Sequence, residues 1–112
     1  MARKIQLKTV IVYIDENGNE PYTDWLRSLR DQKTQERIKV RIRRLESGLY
    51  GDCEPVGEGV SELRMFFGPG YRVYFGEDAE NIVVLLSGGD KSSQKRDIKT
   101  AKEYWKEYQD NG

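Results

Sequence analysis

The sequence predicts a single mixed α/β (α+β) domain over residues 1–112, with a mostly antiparallel, twisted sheet packed against helices in the order β-α-α-β-β-β-α. Residues 62–67 and 71–75 are rich in aromatic, β-branched and large apolar side chains and are separated by Gly-Pro-Gly, which is typical of a hairpin. Residues 81–86 (NIVVLL) form a continuous apolar run, which favours a central strand covered on both faces. Apolar residues at helical spacing before and after these strands predict the helices that pack on the sheet.

The opening part of the chain predicts the first strand and the first helix. Residues 5–14 (IQLKTVIVYI) are strand-like, and the turn-forming residues 15–19 (DENGN) end that strand. Pro21 suits the first turn of a helix, because the backbone N–H that proline lacks is not used there. The buried stripe predicted for this helix consists of Trp25, Leu26 and Leu29.

Apolar periodicity predicts two further helices. Residues 32–47 should form a helix that ends near Gly48, and its buried face should carry Ile38, Ile42 and Leu45 at i, i+4 and i+7. Residues 49–59 (LYGDCEPVGEG) contain three glycines and a proline and are predicted to form one long loop. The last helix is predicted over residues 93–108, with an apolar stripe of Ile98, Ala101, Trp105 and Tyr108.

Turn chemistry and alternation organise the predicted hairpin. Pro69 presets φ for the first central position of a turn, and Gly70 can adopt the positive φ that a type II turn requires at the second. Because successive side chains of a strand point to opposite faces, Arg64 and Arg72 lie on one face if the register allows it. Two interpretations stay open: solubilising charges paired with nearby glutamates, or a cationic, aromatic-rimmed surface for phosphates and bases.

Composition and charge narrow the class of protein. No apolar run approaches the roughly 20 residues of a membrane-spanning helix, and the N-terminal MARKIQLK lacks the apolar core of a secretory signal, so we expect a cytoplasmic protein without membrane association. The 19 basic and 19 acidic residues give zero net charge. Basic residues nevertheless concentrate in residues 33–44 and 91–106, and acidic ones in residues 52–62. Such local patches can attract a phosphate backbone, because salt screens charges only beyond about 8 to 10 Å.

Cysteine and histidine usage gives no support to metal or thiol chemistry. Cys53 is the single cysteine and the chain has no histidine. An internal disulfide, a cysteine–histidine zinc cluster and a histidine-activated thiol are therefore not expected. We expect neither a cofactor nor a metal.

Residues 88–92 (GGDKS) contain a lysine after two glycines but depart from the phosphate loop of nucleoside triphosphatases. That loop requires a glycine directly before the lysine, and Asp90 occupies this place. The paired glycines are expected instead to let the backbone leave the strand. Ser92 or Ser93 would then cap the last helix, whose N-terminus favours an anion beside Lys91.

Residues 60–75 (VSELRMFFGPGYRVYF) and 82–101 (IVVLLSGGDKSSQKRDIKTA) resemble the RelE/HigB-like toxins of type II toxin-antitoxin modules. The similarity is to the phage-related branch of the RelE/ParE superfamily, whose members are called addiction-module killer proteins. It extends over the whole chain, and the strings ELR, GPGYRVYF and GGDKS are together fairly specific for the branch. The resemblance implies a RelE-like fold and a ribosome-dependent mRNA endonuclease (mRNA interferase) that needs no metal, inhibits translation and is neutralised by an antitoxin.

The resemblance also implies which residues act on mRNA. In this reaction the 2′-hydroxyl attacks the neighbouring phosphate, so a base must accept its proton, positive charge must stabilise the phosphate, and an acid must protonate the leaving 5′-oxygen. By matching basic positions, Arg72 and Arg64 would hold the phosphate, while Lys91 would add charge or act as acid or base. The further residues expected to contact RNA are Tyr71, Tyr74, Ser92, Gln94 and Lys95.

The proton acceptor stays open at the level of sequence. RelE itself has a tyrosine early in its last helix and some HigB toxins use histidines, whereas this chain has Asp97 about where that tyrosine would fall. Glu62 and Asp97 are the candidate acceptors, and Tyr71, Tyr74 and a neutral Lys91 are alternatives. The spacing of the carboxylates at positions 62, 90 and 97 does not support a Mg²⁺ site.

Other functions remain compatible with the same sequence. A ParE-like gyrase inhibitor shares the fold and needs no catalytic residues, and a catalytically inactive toxin homologue would act as an antitoxin-binding module. A free-standing RNA-binding module is a third possibility. The partners that the resemblance implies are mRNA, the ribosome and a cognate antitoxin, expected to be a helix-turn-helix DNA-binding protein encoded next to this one.

Overall fold

One five-stranded sheet and three α-helices make up the computed structural model, which describes residues 7–111. The sheet order is β1-β5-β4-β3-β2; β1 runs parallel to β5, and the other neighbouring strands are antiparallel. The predicted mixed α/β class and the mostly antiparallel sheet are therefore confirmed. The elements are β1 (Thr9–Val12), α1 (Pro21–Ser28), α2 (Gln32–Glu46), β2 (Cys53–Gly57), β3 (Val60–Arg64), β4 (Tyr71–Asp78), β5 (Ile82–Asp90), a 3₁₀ turn (Lys91–Ser93) and α3 (Gln94–Asn111).

Helices cover both faces of this sheet. On one face α1 and α2 pack against β3, β4 and β5, and the buried residues there include Leu26, Ile38, Leu63, Val73 and Leu85. On the other face α3 packs over a second cluster, in which Trp105 and Ala101 contact the region of Val60, Tyr74 and Val84. The helices α1 and α2 thus share one side of the sheet, and α3 covers much of the other. None of the helices described within residues 7–111 is both apolar and long enough to cross a membrane.

The segment predicted as one long loop contains the edge strand β2. Its residue Glu54 pairs with Glu62 of β3, and the turn between the two strands places Glu58 and Gly59 at φ values of 54° and 83°. Pro55 is tolerated because an edge strand has a row of backbone groups that no neighbouring strand uses. The loop prediction is wrong over Cys53–Gly57, since proline and glycine were interpreted as breakers at a position where an edge strand accepts them.

The Gly-Pro-Gly hairpin forms, and its hydrogen-bonded turn begins one residue earlier than predicted. The N–H of Gly70 donates to the carbonyl of Phe67 at 3.2 Å, so Gly68 and Pro69 are the two central residues. Gly68 has φ 58° and Gly70 has φ 80°, which glycine adopts without a steric penalty. The positive φ of Gly70 is the one that the predicted turn requires at its second central position, so this part of the prediction is confirmed. The hydrogen bond across the turn lies one residue earlier than predicted.

The sequence predicts that Gly88 and Gly89 end a strand, but both residues lie inside β5. They pair with Val73 and Arg72 of β4. A Cβ added at Gly88 would overlap the ring of Trp25, and one added at Gly89 would overlap the carboxylate of Asp97. The strand therefore continues through two glycines because helical side chains approach its backbone closely.

The other predicted elements are present with shifted ends. Residues 7–14 contribute only Thr9–Val12 to the first strand, and positions 5 and 6 of the prediction lie outside the described residues. In α2 the predicted buried residues Ile38, Ile42 and Leu45 are confirmed. In α1 the buried residues are Tyr22 and Leu26, while Trp25 and Leu29 are only partly buried. In α3 Ala101 and Trp105 are buried, and Ile98 and Tyr108 are partly buried.

The contact between Trp25 and Gly88 gives a test of the packing. Gly88→Ala should lower the free energy of unfolding by about 1 to 3 kcal/mol, because the new methyl group would force the indole and the strand apart. Urea unfolding of Gly88→Ala in the wild-type and in a Trp25→Ala background measures this as a double-mutant cycle. The cost should shrink when the indole is absent. An equal cost in both backgrounds would show that Trp25 is not the obstacle.

Candidate functional site

A fully buried carboxylate, that of Glu62 in β3, gathers three polar side chains around it. Arg64 Nε donates to Glu62 Oε1 at 3.0 Å, and Gln94 Nε2 lies 3.2 and 2.9 Å from the two carboxylate oxygens. Arg72 Nε completes the group as an ion pair at 3.7 Å. A buried carboxylate is tolerated only when it is paired and hydrogen-bonded, and this arrangement meets that requirement.

Strand register explains why these side chains meet. Arg64 and Arg72 are directly opposite in the antiparallel β3–β4 pair, and Glu62 is opposite Tyr74. Side chains two positions apart on a strand share a face, so both arginines lie on the face that α3 approaches. Like charges directly opposite each other destabilise a sheet, and the carboxylate between the arginines offsets that repulsion.

The two arginines differ in accessibility. The Arg64 side chain is 33% exposed, whereas that of Arg72 is 10% exposed. Arg72 Nη1 donates to the carbonyl of Gly70 at 2.6 Å, which binds the guanidinium to the hairpin tip. A ligand that approaches this face therefore meets Arg64 first and Arg72 behind it.

Lys91 lies next to the same hairpin tip. Its Cβ would be 3.6 Å from a Cβ added at Gly70, and the preceding residue Asp90 pairs with Tyr71. Lys91 is exposed, and its ammonium group has no hydrogen bond or ion pair with any side chain or carbonyl that the structure describes. It is thus a free cation beside the pair of arginines.

The 3₁₀ turn before α3 is capped by Asp90, where the sequence had suggested Ser92 or Ser93. The Asp90 carboxylate accepts the N–H of Ser92 at 2.8 Å and also its hydroxyl. These hydrogen bonds hold the pKa of Asp90 below its usual value, and the bond from the Ser92 hydroxyl has the largest effect. Asp90 is thereby committed to shaping the turn that presents Lys91.

Asp97 rests above Gly89, the residue that pairs with Arg72 in the sheet. Its carboxylate accepts the hydroxyl of Ser93, and its side chain is 18% exposed. The Glu62 side chain, the other candidate proton acceptor, is 1% exposed. Of these two carboxylates only Asp97 has surface that a bound molecule reaches without rearrangement of the side chains.

The five residues predicted to contact RNA are not equally available. Ser92 and Lys95 are exposed, Tyr71 is half-buried, and Gln94 is half-buried with its amide on Glu62. The ring of Tyr74 is completely buried. Burial, and then the Glu62 carboxylate, raises the pKa of Tyr74, whose hydroxyl has no hydrogen-bond partner among residues 7–111. Tyr74 is therefore unavailable either to a nucleobase or as a ready proton acceptor.

Sequence reasoning missed the role of Arg41 in α2. Its Nη1 donates to the carbonyl of Arg64 at 2.7 Å, and its Nη2 reaches the carbonyls of Tyr50 and Asp52 at 3.3 and 3.4 Å. Burial lowers the pKa of Arg41, with Arg44 adding to the effect. Arg41 fixes the backbone at Arg64, and its position three residues after Ile38 was the signal that it faces inward.

Two further cations line the surface beside the start of α3. Arg96 and Lys99 join Ser92, Ser93 and Lys95 around an open depression of about 620 Å³. Their spacing on α3 places them within one turn of each other, so the periodicity of that helix could have identified them. In the part of the chain that the structure describes, no three histidine, cysteine, aspartate or glutamate side chains form a group that could hold a metal ion.

Comparison with known proteins identifies a relative but no activity. No protein-family model matches the chain. A Haemophilus influenzae protein (strain ATCC 51907 / DSM 11121 / KW20 / Rd), described as an uncharacterized protein, is 41% identical over 98 residues, which cover 88% of this chain and 90% of that protein. Identity at this level over nearly the full length of both chains places them together. The chain belongs to the same family as this Haemophilus influenzae protein.

Proposed function

We propose that the chain is a RelE/HigB-like toxin of a type II toxin-antitoxin module and acts as a metal-independent mRNA endonuclease. The observation that carries the proposal is the arrangement of three cations on one face. Arg64 and Arg72 lie opposite each other in the sheet with Glu62 between them, and Lys91 lies beside the hairpin tip. These are the positions to which the resemblance assigns catalysis.

The architecture supports the RelE-like assignment. The helices and strands follow the order that the resemblance implies, with β2 added as an edge strand before the hairpin. The last helix follows the strand that carries the GGD residues after one 3₁₀ turn, and this brings Asp97 over Gly89 and Lys91 next to the hairpin tip. A single surface therefore carries candidate residues from β3, β4, the 3₁₀ turn and α3.

The three cations Arg64, Arg72 and Lys91 bind the phosphate in this proposal. Arg64 is the more exposed of the two arginines, and its planar guanidinium suits bidentate contact with phosphate oxygens. Arg72 adds positive charge from behind, at low exposure, where electrostatic interactions are stronger than in water. Lys91 supplies an ammonium group that the described part of the protein leaves unpaired.

Proton transfer is assigned to Asp97 and Lys91. Asp97 accepts the proton of the 2′-hydroxyl, whose oxygen then attacks the neighbouring phosphorus. The bond from phosphorus to the 5′-oxygen breaks, and Lys91 donates a proton to that oxygen. The products are a 2′,3′-cyclic phosphate and a 5′-hydroxyl, and exchange with solvent restores both side chains. Glu62 takes no part in proton transfer and instead holds the arginines in place.

One alternative gains support from a specific observation. The Arg72 side chain is 10% exposed and pairs with a carboxylate side chain that is 1% exposed, as in a purely structural ion pair. This favours a catalytically inactive toxin homologue that acts as an antitoxin-binding module. Controlled expression separates the two, because the inactive homologue leaves growth unchanged while still copurifying with an adjacent antitoxin. A gyrase inhibitor would arrest growth without cutting RNA.

Substitution of the cations tests the catalytic assignment. Arg64→Ala and Lys91→Ala should lower the rate of mRNA cleavage on purified ribosomes by about 100- to 1000-fold, the usual cost of removing one transition-state stabiliser. Arg72→Ala should have the same effect on the rate and should also reduce stability, because it breaks a buried ion pair. Arg43→Ala, an exposed cation on α2, is the matched control and should leave the rate unchanged. Full activity in all three site variants would refute the assignment.

The two carboxylates are expected to respond differently to neutralisation. Asp97→Asn should lower the rate of cleavage by about 100- to 10,000-fold, the usual contribution of a positioned proton acceptor. Glu62→Gln should mainly lower the free energy of unfolding, by about 3 to 5 kcal/mol, because it leaves two arginines uncompensated. The cleavage rate, measured at a temperature at which both variants are folded, and urea unfolding measure the two effects. If folded Glu62→Gln loses the cleavage activity and Asp97→Asn retains it, Glu62 is the acceptor.

A further inference from the structure

We infer that Phe66 is a stacking platform for an unpaired nucleobase next to the phosphate that the cations bind. The inference rests on the proposed function, since it names the part of the RNA that the same surface holds beside the cut. The ligand class is single-stranded RNA with at least one base free of stacking on its neighbours. The sequence had assigned this aromatic role to Tyr71 and Tyr74.

Phe66 is the most exposed of the large apolar side chains in the part of the chain that is described. Its exposed fraction is 81%, against 70% for Leu7 and 62% for Leu49, and it is the only aromatic residue in that group. A single exposed apolar residue needs no explanation by itself. The exposure of Phe66 points to a binding role because its ring lies on the same side of the sheet as the cations.

The neighbours of Phe66 place its ring on the side of the cations. Met65 is buried in the cluster beneath α1 and α2, and its N–H donates to the carbonyl of Tyr71 at 2.9 Å. Phe67 packs against the same cluster, so Phe66, between these two residues, projects to the opposite side, which is that of Arg64 two positions earlier. An aromatic face thus lies beside Arg64, the more exposed of the two arginines.

The backbone that carries Phe66 is held from its other side. Phe67 packs against Tyr71 with ring centroids 5.6 Å apart, and Arg37 of α2 lies 3.8 Å from the centre of the Phe67 ring. The hydrogen bond from Gly70 to Phe67 closes the turn immediately after. A platform on an anchored backbone loses little further entropy when a ligand binds.

The two tyrosines that were predicted to contact RNA have rings that already pack inside the protein. Tyr74 is completely buried under α3. Tyr71 is half-buried, and its ring contacts Phe67 on one side and Trp25, at a centroid distance of 6.2 Å, on the other. Phe66 is therefore the aromatic ring of this hairpin with a free face. A phenyl ring has no hydrogen-bonding group, so the contact should tolerate every base.

A binding and cleavage experiment tests the role of Phe66. The probe is a short single-stranded RNA that carries one 2-aminopurine, used both free in solution and on purified ribosomes. Phe66→Ala and Phe66→Leu should weaken binding or lower kcat/KM by about 5- to 150-fold, the range measured when a base-stacking aromatic is truncated. They should also lose the fluorescence quenching that stacking produces. Phe66→Trp should retain both. Leu7→Ala is the matched control, since Leu7 is a similarly exposed apolar residue at the far end of the sheet, before the start of β1.

The outcomes separate this inference from the proposed function. If wild-type protein cleaves RNA and Phe66→Ala cleaves it equally well, the inference fails and the proposed function stands. If wild-type protein binds and quenches the probe through Phe66 but never cleaves RNA, the inference stands and the nuclease assignment fails. Full activity in Phe66→Leu would mean that an apolar surface suffices, which overturns stacking in favour of a protein contact. Absence of any RNA binding by the wild type overturns the inference as well.

Discussion

The buried carboxylate of Glu62 is the constraint on which the arrangement of the site depends. It connects three elements, since Arg64 lies on β3, Arg72 on β4 and Gln94 at the start of α3. Without it, two guanidinium groups directly opposite each other in the sheet would repel, and the first turn of α3 would lose its polar contact with the sheet. The three residues ELR therefore serve both the core and the site: Leu63 is buried in the core, and Glu62 and Arg64 on either side of it form an ion pair. The same carboxylate that stabilises the fold fixes where positive charge is presented.

Close approach of helices to bare backbone is the second requirement. Trp105 of α3 lies against Gly59 and Gly76, and Trp25 of α1 lies against Gly88. Glycine at these positions lets a large indole ring cover a strand without a side chain between them. On the α3 side this sets the depth at which the helix lies and brings Asp97 over Gly89. The position of the proposed proton acceptor is thus a consequence of packing at the other end of the same helix.

The features that depend on local chemistry were predictable, and those that depend on packing were not. The hairpin, the order of the predicted elements and the shared face of Arg64 and Arg72 follow from turn residues and alternation. The edge strand β2 was missed because Pro55 signals a break in every strand except one at an edge. The prediction that Gly88 and Gly89 end a strand was wrong because the side chains that fill the space beside them, those of Trp25 and Asp97, come from distant positions in the sequence. The burial of Tyr74 likewise follows from α3, and no local signal in YRVYF reveals it.

The activity proposed for this face of the protein is cleavage of RNA through attack by the 2′-hydroxyl. Sequencing of RNA 5′-ends after brief, tightly controlled expression measures it most directly, when libraries that capture 5′-hydroxyl ends are compared with libraries that capture 5′-phosphates. New ends that carry 5′-hydroxyls are expected within translated coding regions in cells with the wild-type protein and not in cells with Arg64→Ala. Growth arrest without new 5′-hydroxyl ends, or new ends that carry 5′-phosphates, would contradict it.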